Sequence, residues 1–340
     1  MRAGLNLSRH TFRILQKHMP TRNTTITFLL SLLPFVGIGQ VIDNTLSFKN
    51  INSDRYFRLN YENDFFSSTD KYYTQGINVE LVAPWIKTFP LAKVLVHPKY
   101  DYIRYGLALA HEGYTPSDFS VPQILYGDRP FAACFFLKTF LIAIDSEKRQ
   151  RFSTTLSTGV IGQAAGGMEM QTSIHRTLGD IMPHGWPNQV HNDAILNYQV
   201  NYEKQLMSLG HAFSLDADGI ARAGTLSDKV ALGLTIMMGY FDSPFLSGTA
   251  TGSNFRIYAY EHPQVNAVGY DATLEGGVFN RTSPYTISAA NVTPFTFENR
   301  FGFVIVYRRL YLEYFQSFIS NEFKTGNFHV WGGLQVAVGI

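Results

Sequence analysis

Only one cysteine, Cys134, occurs in 340 residues, so no intramolecular disulfide can form and a fold held by cross-links is excluded. It lies in the apolar run Phe131 to Phe136 and reads as a small packing residue rather than a nucleophile. Charge is scarce as well: Asp, Glu, Lys and Arg make up 16%, against about 25% in ordinary soluble domains. Past the N-terminus no stretch approaches the roughly 18 consecutive apolar residues of a membrane-spanning helix. No internal repeat, low-complexity tract or linker composition divides the chain. A chain that is 45% apolar and 14% aromatic, yet without a helical span, points to transmembrane strands, whose apolar signal is diluted by alternation.

The first 39 residues differ from the rest. Arg2, Arg9, Arg13, Lys17 and Arg22 occur there without a single acid, and the apolar run Ile26 to Ile38 follows. A basic segment, a short apolar segment and the small residues Gly37 and Gly39 predict a secretory signal peptide over 1–39, cleaved near Gly39/Gln40. Met19 offers a later start that would shorten its basic part. A buried helix fits less well, because Pro34 would break it. The formal charge of +2 then belongs to the leader, and the mature chain, 40–340, is slightly acidic. Its charge gives no reason to expect a nucleic-acid partner.

Along the mature chain, large apolar residues alternate with polar or small ones. Leu196, Tyr198, Val200 and Tyr202 interleave with Asn197, Gln199, Asn201 and Glu203. Val230, Leu232, Leu234, Ile236 and Met238 interleave with Ala231, Gly233, Thr235 and Met237. This is the pattern of strands with lipid on one side and a barrel interior on the other. A soluble sandwich also alternates, but with shorter strands and fewer outward aromatics. Twelve strands are expected, starting near 55, 73, 103, 130, 151, 194, 211, 228, 264, 294, 309 and 327. An even number closes the sheet with no edge in lipid and leaves both termini in the periplasm. The fold class is therefore all-β: a twelve-stranded antiparallel transmembrane barrel in the bacterial outer membrane. Two long connections, 86–102 and 242–262, fall on the periplasmic side, where short turns are the rule, and have no evident role.

With that orientation, an unusual set of polar segments gathers at the outer rim: Glu62-Asn63-Asp64, Tyr72 to Gly76, Tyr114-Thr115-Pro116, Gly127 to Pro130, Gly159 to Gly162 and Asn321 to Gly326. The longest outer loop, 163–192, holds a candidate helix. Glu169, Gln171, Ile174, His175 and Leu178 share a face or its edge, and Gly179 is placed to end it. His175 suits a general base, since histidine titrates near neutrality. Asn63 and Asp64 offer oxygen ligands for a hard cation such as calcium. By parity Asn63 faces lipid with Phe57, Leu59 and Tyr61, while Asp64 and Thr74 face inward. Each has a plainer reading too. A lone histidine is more often a hydrogen-bonded surface or core residue, and an Asn-Asp pair more often forms a turn. Asp128 and Arg129 read as an ion pair, and Tyr72 and Tyr73 as belt aromatics at the membrane interface.

At these residues the sequence resembles the outer-membrane lipid A 3-O-deacylases, the LpxR-type family. The resemblance rests on ENDFFSSTDKYYTQG at 62–76, YTPSD at 114–118, GDRPFAA at 127–133, GVIGQAAGGMEMQTSIHRTLG at 159–179, GWPNQ at 185–189 and NEFKTG at 321–326. It implies an active site between the barrel wall and a loop helix, with lipid A or lipopolysaccharide as substrate and a mechanism like that of calcium-dependent phospholipase A2. His175 would activate water, calcium near Asn63 and Asp64 would stabilise the oxyanion, and Thr74 would lend a hydroxyl. Two departures stand out. Some members carry a Lys after the YTP segment, whereas 119–127 here contains no Lys or Arg. Some carry a Glu soon after the histidine, and here only Asp180 is placed to substitute.

The enzyme expected is thus a monomeric, calcium-dependent carboxylic ester hydrolase. The competing readings are a non-enzymatic barrel, acting as a pore or adhesion scaffold, and a serine-dependent phospholipase. For the last, no serine pairs with a histidine at matching depth.

Overall fold

The computed structural model describes residues 42–67, 71–246 and 252–340, all within one compact unit, Phe35–Ile340. The expected signal peptide lies outside the described residues. Twelve antiparallel strands form a closed barrel: β1 Tyr56–Asn63, β2 Tyr72–Val82, β3 Tyr102–Thr115, β4 Ala132–Asp145, β5 Gln150–Ile161, β6 Asp193–Leu209, β7 Phe213–Gly224, β8 Ser227–Tyr240, β9 Phe255–Asp271, β10 Phe295–Tyr307, β11 Leu310–Ile319 and β12 His329–Gly339. Each strand pairs with its sequence neighbours, and β1 closes on β12 from Tyr56 opposite Gly339 to Asn63 opposite Gly332. Helix α1 (Gly167–Leu178) packs on the outside of the barrel wall, and the one-turn α2 (Ala272–Glu275) follows β9, with Ala272 buried in one cluster with Tyr73 and Trp331. No described helix is long and apolar enough to cross a membrane.

Alternation determines the two surfaces of the wall. Along β8, Leu232 is 69% exposed while its neighbours Ala231 and Gly233 are buried. On β1, Phe57 and Leu59 face out, and Arg58, Asn60 and Glu62 face in and are buried. The turns at 146–149, 210–212 and 308–309 are short and share one end with the N-terminus of β1, which marks that end as periplasmic. Strand β9 begins at Phe255, well before the expected 264. Pro263 accounts for the misreading: it lacks an amide hydrogen, and the pairing of β9 with β8 skips from Gly233–Gln264 to Ile236–Glu261 without changing register.

The lumen is filled. Residues 42–50 run along the inside of the barrel with a short 3-10 turn at Ser47–Lys49, all three residues of which are buried. The wall satisfies this segment from many sides. Lys138 donates to the Ile42 carbonyl at 2.5 Å, Gln199 and Asn201 donate to Asp43 at 2.6 and 2.9 Å, and Arg151 donates to the Thr45 carbonyl at 2.8 Å. The Ser47 amide donates to Glu203 at 2.9 Å, and the Tyr258 hydroxyl to the Phe48 carbonyl at 2.9 Å. Cavities of about 30 Å³ flank the plug, room for little more than a water molecule each.

Residues 241–246, which follow β8, also turn inward, burying Phe241 and Phe245 in the same cluster as Phe48. The long connection 83–101 packs instead on the lipid-facing wall. At the outer end, Arg129 does not pair with Asp128. It reaches under the loops to Glu322 and donates to Thr273 at 2.6 Å, above the Tyr114 ring, while Asp128 accepts from Ser117. Neighbouring turn residues point apart, so the pairing expected from adjacency fails. Burial opposes the Arg129 charge, yet the Glu322 carboxylate beside it holds the guanidinium's pKa above its ordinary value. Tyr72 and Tyr73 are not belt residues. Both are buried at the top of the barrel, with Tyr73 ringed by Tyr114 at 5.4 Å and Trp331 at 5.7 Å. Cys134 is buried among apolar neighbours, as a packing residue should be.

Candidate functional site

Helix α1 has the polarity its sequence implies. Gly166 in the left-handed region precedes it and Gly179, at φ 71°, ends it. Its buried stripe is narrower than the spacing suggests: Gly167, Gln171 and His175 are buried, whereas Glu169 and Leu178 are exposed. The stripe meets the outside of the barrel, beside Ala133 and with Phe119, Phe131, Ala165 and Trp186 around it. Gly167 makes this close approach possible. A Cβ there would lie 2.5 Å from the Ala133 Cβ and 2.6 Å from the Trp186 ring, so any side chain would push the helix start off the wall.

One turn along the stripe, Gln171 joins helix to strand. The Trp186 indole donates to Gln171 Oε1 at 2.6 Å, and Gln171 Nε2 faces Thr74 Oγ1 at 3.3 Å. An indole N–H can only donate, so the amide oxygen must face Trp186 and the amide nitrogen must face Thr74. Thr74 therefore accepts, and its own hydroxyl proton is left to donate elsewhere. The backbone carbonyl of Thr74 accepts in turn from Asn63 Nδ2 at 2.7 Å. Asn63, Thr74 and Gln171 thus form one hydrogen-bonded chain, with His175 a helical turn further on.

Thr74 does not face inward, as its parity predicts. Pairing of β2 with β3 shifts between Tyr73 and Gln75, which makes Thr74 the extra residue of a β-bulge. Its methyl lies 3.4 Å from where a Cβ on outward-facing Gly113 would sit. Bulges re-aim side chains in this way near functional sites.

His175 is 7% exposed and stands edge-on to Phe119, with ring centroids 5.2 Å apart. Its Nδ1 lies 2.6 Å from the Ile181 carbonyl oxygen. That oxygen can only accept, so Nδ1 carries the proton and Nε2 keeps the lone pair of a base. Asp180 does not take the place of the family's Glu. It is exposed, and its carboxylate accepts from the amide of Ile181 at 2.7 Å. The orienting group is the Ile181 carbonyl, which no side-chain pattern announces.

Asn63 is half-buried on the lipid-facing parity, as expected, and its Oδ1 accepts from the Phe65 amide at 2.7 Å. Asp64 is 2% exposed at the end of β1. Together they present hard oxygen donors, one of them anionic, which suits calcium. Among the described residues no group of three or more His, Cys, Asp and Glu is placed to hold a metal, so an ion at this corner would complete its shell with water and substrate.

Two contributors escaped the sequence reading. Phe119 comes from the loop that lacks the family's Lys. His111 lies on the outer wall and hydrogen-bonds the Ala165 carbonyl at 3.1 Å, tying the root of α1 to β3. Parity was its signal, since it continues the outward series Tyr105, Leu107 and Leu109.

The family model described as outer membrane protein LpxR matches residues 27–340. No curated protein matches the chain. Among solved structures, LpxR from Salmonella typhimurium is 19% identical with a TM-score of 0.67, over 84% of this chain and 100% of that one. The beta domain of the Bordetella autotransporter BrkA is 8% identical with a TM-score of 0.40, over 84% of this chain and 98% of that one.

Proposed function

The chain belongs to the LpxR family of outer-membrane barrels, and from that membership and its lipid-facing site we propose that it is a lipid A 3-O-deacylase. The observation that carries this reading is the chain from Asn63 through Thr74 to Gln171, with His175 one turn beyond, on the outside of the barrel. A polar constellation between a helix and the outer wall faces lipid, so its substrate is a lipid that enters sideways from the outer leaflet. One chain supplies every group named, and the protein acts as a monomer.

His175 Nε2 takes a proton from a water molecule as its oxygen attacks the 3-O-ester carbonyl. The carbonyl oxygen becomes an oxyanion, towards which the Thr74 hydroxyl donates. Collapse of the tetrahedral intermediate breaks the bond to the sugar oxygen, and protonated His175 returns the proton to that leaving oxygen. The products are a fatty acid and a free 3-hydroxyl. Calcium held by Asp64 and Asn63 would add positive charge beside the oxyanion. The Ile181 carbonyl keeps the imidazole in its productive tautomer and stabilises the imidazolium, a role carboxylates fill elsewhere. Purified protein incubated with lipid A and calcium should release the 3-O-linked chain, read as the matching mass loss; unchanged lipid A masses would refute the activity.

Gln171→Ala tests the link between helix and strand. It strands the buried Trp186 N–H at a cost of about 1–3 kcal/mol and leaves the Thr74 hydroxyl unoriented. Hydrolysis should fall roughly tenfold to a hundredfold while the barrel stays heat-modifiable on gels. An unchanged rate would remove Gln171 from the site.

The rival reading, a pore, is opposed by the plug. In planar bilayers the full protein should show no steady conductance, and deletion of residues 44–49 should open measurable steps. Steady conductance by the intact protein would revive that reading.

A further inference from the structure

The connection 83–101 is far longer than a periplasmic turn needs to be. It holds two short 3-10 turns, Pro84–Thr88 and Pro90–Val94. Ala92 and Leu95 are buried, and with Phe89 and Leu91 they pack on Leu141, Ala143, Leu156 and Tyr198, which face lipid on β4, β5 and β6. The segment therefore folds back over the outside of the barrel. The wall also satisfies its backbone: the Tyr198 hydroxyl accepts from the Val96 amide at 2.9 Å and donates to the Val94 carbonyl at 3.1 Å, and Thr154 donates to the Val96 carbonyl at 3.1 Å. Thr154 lies four residues up β5 from Gln150, roughly 10 Å from the strand end at an ordinary rise and tilt. Irregular backbone at that depth survives only if its polar groups are met, and here side chains of the wall meet three of them.

The opposite side of the segment is left uncovered by the described residues. Trp85, Val94 and Val96 are all more than half exposed. Lys87, Lys93 and Lys99 are exposed as well, and residues 83–100 contain no acid. Exposed apolar groups beside unopposed lysines, at the depth of the periplasmic leaflet, match the boundary between acyl chains and anionic headgroups.

We propose that residues 84–99 form an in-plane anchor that binds anionic phospholipid in the periplasmic leaflet, through Trp85, Val94 and Val96 in the acyl region and Lys87, Lys93 and Lys99 at the phosphates. The anchor is at the end of the barrel opposite His175, so its failure and failure of the deacylase reading are separable.

Trp85 provides the probe, because the other tryptophans, Trp186 and Trp331, are buried. The full protein is reconstituted in phosphatidylcholine vesicles with and without phosphatidylglycerol, and the Trp85 signal is taken as the difference from Trp85→Phe. Lipid brominated near the headgroup should quench that signal strongly, and acrylamide weakly. Spin-labelled phosphatidylglycerol should associate with the protein in preference to phosphatidylcholine, by up to about fivefold per engaged lysine. The preference should vanish at high salt and in the Lys87→Gln/Lys93→Gln/Lys99→Gln variant, which alters only exposed side chains and should remain heat-modifiable. Full acrylamide access to Trp85, equal association of both lipids, or a dimer whose cross-links map to this segment would each overturn the proposal.

Discussion

His175→Ala should lower lipid A ester hydrolysis by about 10³-fold, within the range that general acid–base groups contribute, while the barrel folds normally. In the proposed mechanism the imidazole takes a proton from water and returns it to the sugar oxygen, so its loss removes both transfers. The structural cost is small by comparison. The variant forfeits one hydrogen bond to the Ile181 carbonyl and the edge contact with Phe119, about 1 kcal/mol for the bond, in a helix still held by Gln171 and the Trp186 cluster. Lipid A mass spectrometry in cells expressing wild type or variant reads the activity, and heat-modifiable migration reads the fold. Full activity in a folded variant would end the proposed mechanism.

Chelation is the second large effect. EDTA should abolish hydrolysis and calcium should restore it, with magnesium a poor substitute because it demands a stricter octahedral shell. The Asn63–Asp64 corner offers few protein ligands, so half-maximal activation should fall near about 10⁻³ M, in the range of weak extracellular calcium sites. Asp64→Ala removes the carboxylate placed at the corner among the described residues. It should lower the maximal rate by about 10²-fold, the usual cost of losing an oxyanion stabiliser, and raise the calcium needed. Activity that persists in EDTA would remove calcium from the mechanism and leave the role of His175 standing. Persistence in both experiments would mean that the chemistry lies elsewhere on the barrel.

Much of the architecture was legible because a strand between lipid and lumen must alternate. The faces of β6 and β8 follow directly from Leu196 to Tyr202 and from Val230 to Met238. Helix α1 was equally plain, from its glycine borders and the spacing of Gln171 and His175. Other features depend on contacts that no local pattern encodes. Tyr72 and Tyr73 look like belt aromatics, yet they close the top of the lumen because Trp331, Tyr114 and His329 surround them there. Thr74 has inward parity in the sequence and faces outward in the fold, since a bulge is a property of the pairing between two strands. The orienting partner of His175 is a carbonyl, and every residue has one.

By itself, then, the sequence determined a closed transmembrane barrel, its inner and outer faces, its long outer loops and the residue types able to do ester chemistry. Period-two alternation, glycine placement and side-chain chemistry are local properties, and each can be read one residue at a time. The tertiary structure decided which of those residues meet: the plug in the lumen, Arg129 with Glu322, Thr74 with Gln171, and the connection 83–101 on the outer wall. Those meetings depend on how barrel closure and loop packing bring distant segments to one place, and no local pattern carries that information.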